Sequence, residues 1–156
     1  MKEIKTRSHI EKVIAIPGSK SITHRALITA GLAQGQSLLK NFLTCEDTLY
    51  TINGLREMGI EILVKGKDVA VRGNGGKFSP SAEKKEIFLG NSGTSYRLLL
   101  SVAALARGEY ILNGTPRMCK RPVGDLVRAL NGLGGEAEYI QDTKKFCSWP
   151  KDYILQ

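Results

Sequence analysis

The chain has 156 residues, of which 42% are hydrophobic and 24% charged, with a formal net charge of +8. That balance fits a soluble protein with one core, expected in the cytoplasm, and excludes a membrane-spanning chain: there is no leader-like segment and no apolar run of the ~20 residues a spanning helix needs. The positive charge suits a polyanionic partner, but only 6% of residues are aromatic and no RRM, KH, zinc-finger or helix-turn-helix pattern occurs, which disfavours a basic nucleic-acid-binding module.

In chain order, the first predicted element is a strand over the apolar run Val13 to Ile16. It leads into Pro17-Gly18-Ser19-Lys20-Ser21-Ile22-Thr23-His24-Arg25, where glycine permits a tight bend and serine can cap a helix. Ile22, Ala26, Leu27 and Ala30 carry the apolar period of that helix, over 20–33. A strand over 36–41 follows. The next helix, 47–58, takes Asp47 as N-cap, spaces Leu49, Ile52, Leu55 and Met58 on one face, and stops at Gly59. Strands over 60–64 and 68–72 flank a hairpin turn at Gly66-Lys67-Asp68. Residues 73–85, rich in Gly, Ser and Lys, read as a linker. Beyond it come a strand at 86–89, a helix at 93–106, a strand at 109–113, a helix at 122–133 stopped by Gly134, and strands at 135–140 and 152–156.

The second series repeats the first. Leu89-Gly90-Asn91-Ser92-Gly93-Thr94-Ser95-Tyr96-Arg97 again joins an apolar run, a glycine turn with small polar residues, and a helix with arginine in its first turn. Ala33-Gln34-Gly35-Gln36-Ser37-Leu38-Leu39 matches Ala106-Arg107-Gly108-Glu109-Tyr110-Ile111-Leu112, and the segment Leu55 to Glu61 matches Leu130 to Glu136. Such self-similarity implies two copies of one βαβαββ unit, about 13–72 and 86–156, and the alternation of strands and helices argues for α/β layering.

The chemistry gathers at the strand-to-helix turns. A helix N-terminus offers free N–H groups and a partial positive charge, and Lys20 and Arg25, about one turn apart, are expected to reach the same side. The spacing is not that of a P-loop, because Ser19 precedes the lysine, and Gly73-Asn74-Gly75-Gly76 lacks the dinucleotide fingerprint. A third segment, Pro116-Arg117-Met118-Cys119-Lys120-Arg121-Pro122, crowds three cations between prolines, and the arginine fork suits carboxylate or phosphate. Taken singly, each segment also reads as a capped surface helix or a solvated basic loop. Asp47 and Asp125 read as helix caps, Glu46 and Glu57 as solvated charges, and His24 as a structural or surface histidine. Cys45, Cys119 and Cys147 show no CxxC spacing, so neither a disulfide framework nor a zinc site is expected.

Together, PGSKSxxxRAL, LGNSGTxxR and RMxxRP, in this order, resemble the 5-enolpyruvylshikimate-3-phosphate synthases, or 3-phosphoshikimate 1-carboxyvinyltransferases, from about Val13 to about Tyr139. The sister enolpyruvyl transferases acting on a UDP-linked aminosugar are similar in fold but carry Lys-Asn where this chain has Lys20-Ser21. The resemblance implies an inside-out α/β barrel of repeated βαβαββ units, here incomplete, with about two copies present. It implies transfer of the carboxyvinyl group of phosphoenolpyruvate to the 5-hydroxyl of shikimate 3-phosphate, in aromatic amino acid biosynthesis, by a monomeric enzyme that uses no metal or organic cofactor and is a glyphosate target. By the same resemblance Lys20, Ser21 and Arg25 hold shikimate 3-phosphate, Lys20, Gly93 and Arg121 hold phosphoenolpyruvate, and Asn91 and Thr94 neighbour the pocket. Many family members have proline after the second-motif arginine, where this chain has Leu98. The family's acid–base residues lie in a later part of the chain. The 156 residues are therefore expected to form a partial domain, inactive alone, that exposes apolar faces and is marginally stable or self-associating.

Overall fold

The computed structural model describes residues 8–80, 83–106 and 108–140, and the backbone of 145–146. In chain order the elements are α1 (Lys20–Leu32), β1 (Gln34–Leu39), α2 (Glu46–Glu57), β2 (Glu61–Lys65), β3 (Asp68–Asn74), β4 (Lys85–Phe88), α3 (Gly93–Ala103), β5 (Tyr110–Asn113), α4 (Pro116–Cys119), α5 (Gly124–Gly132), β6 (Tyr139–Ile140) and β7 (Lys145–Phe146). The strands form two open sheets, ordered β1-β3-β2 and β4-β5-β7-β6. In the first, β3 is central and antiparallel to both neighbours, with Leu38 opposite Ala70 and Ala70 opposite Leu63. In the second, β5 is antiparallel to β7 and parallel to β4, with Ile87 opposite Leu112. The parallel pair is what a βαβ crossover through α3 requires.

Helices α1, α2 and α3 pack against one another and against the inner faces of the sheets. Leu27, Ile52, Leu55, Leu99 and Leu100 fill the helix contacts, and Val69, Val71, Ile87 and Leu112 meet them from the strands, all essentially without solvent exposure. The alternation along β3 follows from the pleat: Val69 and Val71 point inward while Ala70 and Arg72 are exposed.

Two helix stops repeat in detail. After α2, Gly59 has φ of +91°, its N–H donates to the Arg56 carbonyl and the Ile60 N–H to the Leu55 carbonyl; after α5, Gly134 also has φ of +91°, with matching bonds to Asn131 and, from Gly135, to Leu130. This is the Schellman arrangement, and the left-handed backbone it needs is why glycine stands at both positions. Gly66 and Lys67 form the tight β2–β3 turn that their spacing predicts.

Several predicted elements are corrected. Residues 13–16 form no strand: Val13, Ile14 and Ile16 are exposed, and β1 pairs on one side only, with β3. An apolar run becomes a strand only when an edge receives its N–H and C=O groups, and β1 offers its free edge to no described residue. Strand β6 covers only Tyr139 and Ile140 rather than 135–140, because the Asn131 side chain takes the place of a strand partner, accepting from the Ala137 N–H at 2.7 Å and donating to the Ala137 carbonyl at 2.9 Å. Asp47 and Asp125 are not N-caps; Cys45 and Val123 hold those positions, so both carboxylates fall in the first helical turn, where the dipole favours them. The segment between the prolines is no simple loop but opens with α4, capped by Thr115 and begun by Pro116. The predicted strand at 152–156 lies outside the described residues, as does Cys147. Cys45 is a free thiol.

Candidate functional site

Three helix N-termini open on one cavity. Ser19 caps α1, its Oγ accepting from the Ile22 N–H, and Ser92 caps α3 in the same way, accepting from the Ser95 N–H, both at 3.4 Å. Helix α2 begins beside them at Glu46, and the stretch between α4 and α5 brings Arg121 across the mouth of α3. The cavity, about 600 Å³, is lined by Lys20, Asn91, Gly93, Thr94 and Arg121. All five are residues that the motifs single out. Glu46, Asp47, Arg97 and Leu98 complete the lining.

Ser21 and Arg25 do not line this cavity; both lie exposed on α1. The expectation that Arg25 shares a side with Lys20 fails on helical geometry, since five residues at 100° each place it about 140° around the axis.

Gly93 decides how closely the cations approach. A Cβ at this position would stand 2.4 Å from Arg121 Nη1 and 3.0 Å from Arg97 Nη1, so the two guanidinium groups converge on bare backbone at the start of α3. Among the described residues no carboxylate pairs with either arginine. Two arginines and a helix N-terminus, all positive, are thus gathered at one point, an arrangement that an anion would stabilise. Lys20 lines the same cavity, its Nζ donating to Asp47 Oδ2 at 2.7 Å. That hydrogen bond, and then the charge of Asp47, hold the Lys20 ammonium above its ordinary pKa, so it stays protonated through neutral pH. Glu46 accepts from the Tyr50 hydroxyl at 3.0 Å, a bond that, with burial second, raises the Tyr50 pKa.

Below the cavity a buried polar chain ties the three helices together. His24 of α1 meets Thr51 of α2, Nδ1 to Oγ1 at 2.7 Å; Thr51 donates to Ser95 of α3 at 2.9 Å; and Ser95 donates to the Asp47 carbonyl at 2.8 Å. His24 is fully buried, and burial pushes its imidazole below the ordinary value, so it is a structural residue. The three helix starts are therefore locked in register by side chains that lie out of reach of a ligand.

The acidic partners Glu46 and Asp47 are what the linear motifs miss, because they reach the site from a third helix through tertiary packing. The signal that could have found them is the acidic pair at a helix start, on a surface otherwise prepared for anions. A second depression, about 400 Å³, lies on the outer face of the first sheet, where Glu61 and Arg72 bond each other at 3.5 Å and no uncompensated charge converges. Among the described residues no cluster of three potential metal ligands occurs, and no helix is long and apolar enough to cross a membrane.

Residues 4–147 match the family described as EPSP synthase (3-phosphoshikimate 1-carboxyvinyltransferase). A 3-phosphoshikimate 1-carboxyvinyltransferase of Aliivibrio salmonicida is 42% identical over 137 residues, which is 86% of this chain and 32% of the relative. One from Vibrio atlanticus is 43% identical over 142 residues, 88% of this chain and 33% of the relative. The solved EPSP synthase of Acinetobacter baumannii superposes with a TM-score of 0.76 at 26% identity, covering 90% of this chain and 33% of that one. The chain thus spans about a third of the length of the curated relatives it matches.

Proposed function

The chain belongs to the EPSP synthase family, and we propose that its complete form transfers the carboxyvinyl group of phosphoenolpyruvate to the 5-hydroxyl of shikimate 3-phosphate. The observation that carries this reading is the convergence of Lys20, Gly93 and Arg121 on one cavity between helix N-termini. Both substrates are polyanions, and a basic, narrow site with bare backbone at its wall accepts such groups closely. Arg121 presents a planar fork to the phosphoenolpyruvate anion, and Lys20, lining the same cavity, reaches it once its bond to Asp47 is exchanged for one to the ligand. By the family resemblance Ser21 and Arg25, exposed on α1 outside this cavity, would take shikimate 3-phosphate. The chain so read holds two repeat units, about 13–72 and 86–156, joined by residues 73–85, the first of them described as αβαββ because residues 13–16 form no strand.

In the reaction the 5-hydroxyl oxygen bonds to C2 of phosphoenolpyruvate while its proton is removed and the methylene carbon is protonated. The tetrahedral adduct then loses inorganic phosphate and a proton of the newly formed methyl group, restoring the double bond. The charge on carboxylate and phosphate persists through both steps, and fixed cations stabilise it without reorganising. Neither His24, buried beneath the site, nor Asp47, bonded to Lys20, is placed to exchange these protons, and the family resemblance assigns the acid–base groups to a later part of the complete enzyme. The enzyme so read is monomeric and works in the cytoplasm.

Calorimetric titration of the chain with shikimate 3-phosphate, with and without phosphoenolpyruvate, tests this reading. One saturable site is expected, with no phosphate released from the substrate pair. Duplex DNA binding with a steep salt slope, and no response to shikimate 3-phosphate, would instead favour a nucleic-acid module.

A further inference from the structure

Arg97 differs from its counterpart in the first repeat. Arg25 is exposed on α1 and makes no side-chain bond among the described residues, whereas Arg97 has both terminal nitrogens engaged. Its Nη1 donates to the Gly93 carbonyl, one turn back on α3, at 3.0 Å; its Nη2 donates to the Pro122 carbonyl at 2.8 Å. The first acceptor is the residue against which Arg121 lies, and the second is the residue next to Arg121 in sequence. A single planar fork therefore spans the start of α3 and the stretch between α4 and α5.

That stretch has few other ties. The Arg121 N–H donates to the Met118 carbonyl, within α4 and its exit, while Pro122 has no N–H to give and is exposed. Cys119 is held in α4 by its N–H bond to the Thr115 carbonyl, and Val123 is buried, which leaves residues 120–122 bridged to α3 through Arg97.

We propose that Arg97 is a positioning residue, a latch that holds Arg121 over Gly93 so that its guanidinium meets the phosphoenolpyruvate anion. The proposal rests on the substrate reading above for the identity of the anion, but the latch itself is a matter of the chain alone. Arg97 adds charge to the site, yet each of its terminal nitrogens donates to a carbonyl oxygen, so its effect on affinity is assigned to the placement of Arg121. Lysine cannot replace it, because one ammonium on a flexible stem does not reproduce a fork held between two fixed acceptors.

Two measurements on the 156-residue chain test this. Backbone order parameters of Arg121 read the latch without ligand: in Arg97→Gln they are expected to fall from the rigid value of about 0.85 towards 0.6, while those of Leu99 and Leu100 stay unchanged. Unchanged order at Arg121 would overturn the latch. Phosphoenolpyruvate dissociation constants in a double-mutant cycle read the coupling. Arg97→Gln is expected to weaken binding about tenfold in the wild-type background but less than twofold when Arg121→Gln is already present, and Arg97→Lys is expected to behave like Arg97→Gln. Equal losses in both backgrounds would mean that Arg97 touches the anion itself and would refute the positioning role. If the wild-type chain bound no phosphoenolpyruvate while the order parameters still fell, the substrate reading and its link to affinity would fail and the latch would stand.

Discussion

Replacing Gly93 with alanine separates folding from ligand grip at a single atom. The new Cβ would lie 2.4 Å from Arg121 Nη1, against an ordinary contact of 3.4 Å or more, so the guanidinium must withdraw by about 1 Å. The atom in the way is the end of a flexible side chain, and Gly93 stands at the first position of α3 with no positive φ, so the backbone accepts alanine. Stability should hold or rise by about 0.4–1 kcal/mol, as when glycine is replaced at a compatible site. Affinity should not hold. Moving a guanidinium from about 2.8 to about 3.8 Å from an anionic oxygen, at an effective dielectric constant of about 20, costs about 1.5 kcal/mol, or roughly tenfold in dissociation constant. Calorimetry with phosphoenolpyruvate and urea unfolding, run on the same preparation, read the two effects. In the complete enzyme the glyphosate concentration needed for half-inhibition should rise more than the phosphoenolpyruvate KM, since the longer inhibitor extends further along the wall at Gly93. A Gly93→Ala chain that binds phosphoenolpyruvate as tightly as the wild type would refute the placement of Arg121, and a collapse of stability would refute the claim that only a side chain is displaced.

In the complete enzyme, Lys20→Met and Arg121→Ala should each lower kcat/KM for phosphoenolpyruvate on the order of 100- to 1000-fold, as when a charge pair loses one partner, and weaken shikimate 3-phosphate binding less; near-normal turnover in either would contradict the assignment. His24 gives a pH signature. Its folded pKa lies below the ordinary 6.5, so the unfolded chain binds more protons, and its contribution is complete above about pH 6.5 and lost as pH falls through the folded value. Thermal midpoints should therefore drop on the acid side of pH 6.5 in the wild type and drop less in His24→Asn, whose amide can still meet Thr51. Gly59→Ala should cost about 1 kcal/mol in urea unfolding, because nothing crowds the site and only the left-handed backbone is penalised; a neutral effect would show that the Schellman stop relaxes freely.

Local chemistry was readable wherever one short segment decides the outcome. Serine before a helical period fixed the starts of α1 and α3, and Gly59, Gly66 and Gly134 marked the stops and the turn that the backbone takes. Even α4 leaves a trace in Thr115-Pro116, a cap followed by proline at the first helical position. What the sequence could not decide was tertiary. The run Val13 to Ile16 has strand composition, but composition does not supply a partner edge. The cations of the site were legible because helix starts bind anions by local geometry, whereas Glu46 and Asp47 join the cavity, and Arg97 donates to the Pro122 carbonyl, only once α2 and the segment after α4 pack beside α3. Membership of the EPSP synthase family was legible from three motifs because each keeps its local geometry, and residues 4–147 match that family as a whole.

The central claim, that Lys20, Gly93 and Arg121 form one phosphoenolpyruvate site, is tested most directly by following backbone amide resonances of the 156-residue chain during titration with phosphoenolpyruvate. The account predicts saturable shifts, described by one dissociation constant, at Lys20, Gly93, Thr94 and Arg121, with the outer sheet face at Leu63 and Arg72 unmoved. Shifts spread over the basic surface without saturation, or confined to residues away from the three helix starts, would contradict it.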